Sequence, residues 1–159
     1  MVRLNLEVLS ESVDDFYFSL RDYNIDLSHA LNALTASIAP CFAPGGFNSL
    51  RNDLNLLKEI STTSVQEASD MRKIYQRYES NPSHPSSRSN YLFVSDEATR
   101  LQSVLTLQKM RLVDIRNTHV ECTSEDFFSF SNHLYSAHDT LLRTLDFLTE
   151  MKHLLSVFR

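Results

Sequence analysis

A chain of 159 residues with 42% hydrophobic content, two glycines and four prolines is long enough to bury one core and too apolar to be disordered throughout. So few turn-forming residues suit long helices better than a many-turned sheet. The formal net charge of -5 excludes the basic surface that nucleic acid or an anionic membrane requires, and no apolar run reaches the roughly 18 residues that cross a bilayer.

The N-terminus carries Arg3, Asn5 and Glu7 where a signal peptide needs a continuous apolar segment, so a cytoplasmic protein is expected by the usual export rules. Val13, Tyr17, Leu20, Leu27, Leu31, Leu34 and Ile38 then recur at steps of three and four, the spacing that keeps one helical face apolar. Ser12 with Asp15 has the capping-box pattern, so a first helix is expected from Ser10 or Ser12 to Ile38, about 27 residues and roughly 40 Å long. Pro40 ends it, and both glycines, Gly45 and Gly46, fall in the interval before the stripe restarts at Phe47, Leu50, Leu54 and Leu57. This is the pattern of a helical hairpin.

The second helix is expected to begin after Asn48 and to continue through Val65, Ala68, Met71, Tyr75 and Tyr78, with a kink or softened turn at Ser61-Thr62-Thr63-Ser64. Residues 81–93 open with a Ser, Pro and Asn-rich segment that reads as a polar linker. A third helix should open at Ser95 with Leu101, Leu105, Leu112 and Ile115 on one face. After a break from His119 to Thr123, a fourth should bury Phe127, Phe130, Leu134, Leu141, Leu145, Leu148, Leu155 and Phe158.

The chain is therefore expected to be all-α: two long antiparallel helical hairpins, residues 1–80 and 94–159, forming an elongated four-helix bundle. The first hairpin is acidic and the second nearly neutral. Splayed hairpins, each taking an apolar stripe from another protein, are the alternative. An up-down-up-down bundle places the first and third connections at one end, so Cys41 and Cys122 come near each other there. They are either two partly buried free thiols or one bridge, and a bridge implies an oxidising destination.

Residues that could carry chemistry are few. Asp26 with His29 and Glu150 with His153 have the carboxylate-His spacing of bundle metal sites, but the helical phase turns the second pair toward solvent, so neither a metal nor another cofactor is expected. Ser28-His29-Ala30-Leu31-Asn32-Ala33 carries the H-x-L skeleton of a histidine phosphotransfer bundle without its Lys and Gly. No nucleophile motif or phosphate-binding glycine loop occurs, and a non-enzymatic role is expected. Phe16-Tyr17-Phe18 and Phe127-Phe128-Ser129-Phe130 each span too much of the helical circumference for one packing face, which makes Phe18 and Phe128 candidate partner-facing residues.

The first eighty residues resemble the WXG100 or ESAT-6-like proteins of type VII secretion and the helical hairpins associated with LXG toxins. The resemblance is carried by the opening Val2-Arg-Leu-Asn-Leu-Glu, the turn Phe42-Ala43-Pro44-Gly45-Gly46-Phe47 and the Tyr75-Gln76-Arg77-Tyr78-Glu79 segment, a Y-x-x-x-E. The chain departs from the family in having no Trp and in continuing for eighty residues past that motif. What the resemblance implies is leaderless export and a recognition surface of Phe42, Gly45, Gly46, Tyr75 and Glu79, assembled only when the hairpin pairs with another helical protein. The expected role is thus a type VII substrate, chaperone or targeting partner, with a heteromeric or homodimeric helical partner and no nucleic acid or membrane insertion. A cytosolic coiled-coil subunit of a larger assembly is the alternative, and a phosphotransfer bundle the third.

Overall fold

Four long helices carry the apolar stripes in the computed structural model, which describes residues 6–79, 87–116 and 122–156, with side chains over 8–74, 92–116 and 122–156. They are α1 (Leu6–Ala33), α2 (Gly46–Glu79), α3 (Ser87–Arg116) and α4 (Glu125–Leu155), with a short 3-10 helix, Ala36–Cys41, after α1. The fold is all-α. Among the described residues there is no strand, and no helix is long and apolar enough to cross a membrane.

Helix ends differ from the expected ones for local reasons. α1 starts earlier, because Ser12 is buried within it rather than capping it, and it stops at Ala33 rather than Ile38. Pro40, inside the 3-10 helix, cannot donate a backbone hydrogen bond and its ring crowds the carbonyl four residues back, which disfavours α geometry there. α2 starts at Gly46, two residues ahead of Asn48, because the preceding turn closes on Gly46 N–H donating to the Ala43 carbonyl at 2.7 Å. α2 also runs unbroken through the Ser-Thr segment. Ser61, Thr62, Thr63 and Ser64 all donate back to carbonyls three or four residues earlier, so their hydroxyls are met inside the helix. α3 begins at Ser87, so the expected linker over 81–93 is helical from that point. α4 is capped by Ser124, which accepts from the Phe127 N–H, with Glu125 and Asp126 in the first turn where the helix dipole favours acids.

Most buried positions follow one rule in all four helices. In α1 they include Leu9, Val13, Phe16, Leu20, Tyr23, Leu27 and Ala30, with Leu34 just past its end; in α4 they include Phe127, Phe130, Leu134, Ala137, Leu141, Thr144, Leu148, Met151 and Leu155. α2 follows with Leu50, Leu54, Leu57, Ser61, Ser64, Ala68 and Met71, and α3 with Val94, Ala98, Leu101, Leu105, Gln108, Leu112 and Ile115. Steps of three and four alternate without a break, a 3.5-residue repeat, which is the seam of a left-handed bundle.

α1 packs most extensively on α4 and next on α2, and α3 packs on α4, whereas α2 and α3 approach each other least of the four neighbouring pairs. Polar contacts reinforce the close sides. Between α1 and α4, buried Ser19 and Thr144 hydroxyls lie 2.6 Å apart and Thr140 donates to Asp26 at 2.8 Å. Between α1 and α2, Asn24 donates to Ser61 at 2.6 Å, Lys58 donates to Ser28 at 2.6 Å and Arg72 pairs with Asp14 at 2.6 Å. Cys41 and Cys122 form a disulfide with Cα atoms 5.4 Å apart, joining the α1–α2 connection to the α3–α4 connection at one end.

Candidate functional site

The bridged end is built around Phe42. It is buried rather than presented at the turn, with its ring 6.3 Å from Phe47, 6.0 Å from Phe127 and 6.3 Å from Phe130. An aromatic at this place is worth more inside the core than in water, and in the isolated chain the Phe42 ring of the expected recognition surface is enclosed. Gly45 sits at φ 79°, the left-handed region that favours glycine. A Cβ on Gly46 would meet Phe42 Cβ at 3.3 Å. The turn glycines therefore serve backbone geometry and the seating of Phe42. Tyr75 and Glu79 belong to the last turns of α2, and their side chains lie outside the described residues.

The structure places Phe18 and Phe128 on the surface, on different helices. Phe18 is covered by two cations, Arg21 at 5.3 Å and Arg72 at 4.9 Å, and meets Tyr17 edge-on at 5.1 Å. Phe128 borders a shallow hollow of about 250 Å³ with Phe127, Phe130 and Tyr135. Of the carboxylate-His pairs, Asp26 accepts from Thr140, while Glu150 and His153 are both exposed. His29, exposed on α1, faces His133 with ring centroids 5.5 Å apart. Among the described residues no group of three His, Cys, Asp or Glu side chains converges on a metal position.

A larger concavity lies elsewhere among the described residues, along the open side between α2 and α3. Its central part, about 540 Å³, is lined by Leu56, Leu57 and Ile60 of α2 and by Val104, Leu107, Gln108, Met110, Arg111 and Asp114 of α3. It continues past Arg111 and Asp114 to Asp53, Ser49 and Gly46 near the bridge. Toward the other end, a further hollow between the same helices is lined by Glu67, Asp70, Phe93, Glu97 and Arg100. Leu56 is 51% exposed, Leu107 65% and Met110 57%, large apolar areas left in water side by side. By the register of the buried seam Leu56 and Leu107 fall at heptad position c and Met110 at f, outside the seam and its flanks, where a closed bundle usually places polar residues.

One buried polar group lies beside this groove. Tyr23 of α1 donates through the core to Gln108 Oε1 at 2.7 Å, and burial pushes the Tyr23 phenol well above the ordinary tyrosine range, so the donor proton is retained. Gln108 is only 2% exposed and its Nε2 has no hydrogen-bond partner among the described residues. Buried donors without a partner are uncommon and costly.

Sequence reasoning missed this face because it looked for one stripe per helix, whereas α2 and α3 each carry a second. The signal was present in Leu56, Ile60, Leu107 and Met110, which fall off the main stripe. Comparison with protein-family models, characterised proteins and solved structures finds no match.

Proposed function

We propose that this protein is a non-enzymatic interaction module that pairs its amphipathic helices with a helix of another protein, in the setting of type VII secretion as substrate, chaperone or targeting partner. The observation that carries the pairing is the open α2–α3 side, where Leu56, Leu107 and Met110 stand exposed around an apolar groove while the other three helix pairs are closed. A helix laid into such a groove buries the apolar area that the chain leaves in water. The secretion setting is supported by the Gly45-Gly46 turn beside Phe42 and by Tyr75 and Glu79 near the end of the same hairpin. A disulfide at the bundle end is consistent with an oxidising destination.

The test is made in the native host. Tyr75→Ala with Glu79→Ala should stop export without lowering the melting temperature, and Leu56→Lys with Leu107→Lys should abolish co-purification of the helical partner while the protein stays folded. Unchanged export in the first variant would remove Tyr75 and Glu79 from the signal, and a parent protein that is not exported would favour a subunit of a cytosolic scaffold. A retained partner in the second would remove the α2–α3 face from the function.

A further inference from the structure

We infer that the α2–α3 groove receives a single amphipathic helix whose apolar stripe is flanked at both ends by lysines or arginines. This rests on the helix-pairing reading and adds the chemistry of the partner.

Length comes first. Along α2 successive hollows run from Gly46 to Asp70, about 36 Å at 1.5 Å per residue, the last set off from the apolar middle by the Arg100–Glu67 pair that links α3 to α2. A compact small molecule covers only part of that, whereas a helix of about 24 residues follows all of it. Apolar character is concentrated in the middle, at Leu56, Ile60, Val104 and Leu107. An occupant therefore needs an apolar stripe of only two to three turns, with different chemistry beyond it.

Charge supplies that chemistry. The two ends of the groove carry Asp53 and Asp114 on one side and Glu67, Asp70 and Glu97 on the other. Arg111 stands with the first two carboxylates, and Arg100, paired with Glu67 and Glu97, offsets one charge of the other three, so each end keeps a net negative charge. The ends are acidic. A second copy of this chain, itself at net charge -5, would bring carboxylates against carboxylates if the same faces met, a repulsive arrangement. A helix with basic residues at its ends meets complementary charge along the same length. The unpartnered Nε2 of Gln108 beside the apolar middle is the independent sign that the face is incomplete in the isolated chain.

The probes are two synthetic helical peptides of about 24 residues, matched to the groove length. They share a central Leu/Ile stripe and differ only in lysine or glutamate flanks. Affinity for the intact disulfide-bonded protein is read by fluorescence anisotropy. The lysine-flanked peptide should bind on the order of tenfold tighter at about 50 mM salt, with the preference shrinking at about 300 mM. Leu107→Lys, at a position already largely in water, should abolish binding without altering the thermal melt.

Equal affinity of the two peptides, both lost in Leu107→Lys, overturns the basic-flank inference and leaves helix pairing standing. Binding that ignores Leu107→Lys, or no binding of either peptide, overturns the placement of the helix in this groove. A dimer seen in sedimentation equilibrium and dissolved by Leu107→Lys replaces the partner helix with a second copy. A fluorescent fatty acid that binds in a Leu107-dependent manner where neither peptide does replaces it with an acyl chain.

Discussion

Tyr23 and Gln108 show how single side chains set the limits of this core. The Tyr23 hydroxyl and the Gln108 Oε1 satisfy each other away from water, so removing one leaves the other unmet, whereas removing both leaves shape without polarity. Tyr23→Phe and Gln108→Leu should each cost about 1–3 kcal/mol, while the double variant should return to within about 1 kcal/mol of the parent. Urea unfolding of the four proteins measures this, and strictly additive losses would contradict the pairing. The same residues explain why the register was only partly legible. Tyr23, Ser61, Ser64, Gln108 and Thr144 fill seam positions with polar atoms. An apolar pattern skips them, although the regular steps of Leu20, Leu27 and Leu34 already imply that Tyr23 and Ala30 lie between them inside. Phe42 was visible as an aromatic in a turn, but nothing local indicated that three other rings would enclose it.

Helix identity followed from apolar spacing, because all four stripes persist over many turns and the core residues expected for α3 are buried. Helix ends were less legible. Capping residues such as Ser12 and Ser95 are small enough to be buried, and both are used that way here. The connections gain their fixed positions from the bridge between Cys41 and Cys122, which are 81 residues apart. Closing a loop of that size restricts the unfolded chain by about 4 kcal/mol in the chain-entropy picture. Reduction, or Cys41→Ser with Cys122→Ser, should lower the melting temperature on the order of 10 °C by calorimetry. An unchanged transition would mean that packing around Phe42 alone sets the stability of that end.

For the whole molecule, the arrangement of the helices matters more than their number. α1 is held on both sides by buried apolar contacts and by polar links to α2 and α4, so it forms the spine. α2 leans on that spine and α3 on α4, but they lean little on each other, and their second apolar faces look onto the gap. The bundle was predictable from four stripes, whereas the gap was not, since whether Leu56 and Leu107 are covered depends on how far apart two helices stand. On the proposed reading, that face is where a partner helix completes the bundle. Side-chain oxidation footprinting of the intact protein, alone and with the partner purified from its host, tests this directly. Met110, 57% exposed in the free chain, should lose most of its oxidation in the complex together with Leu56 and Leu107, while Phe18 and Phe128 remain as reactive as before. Undiminished oxidation of Met110 alongside protection of Phe18 or Phe128 would contradict the account.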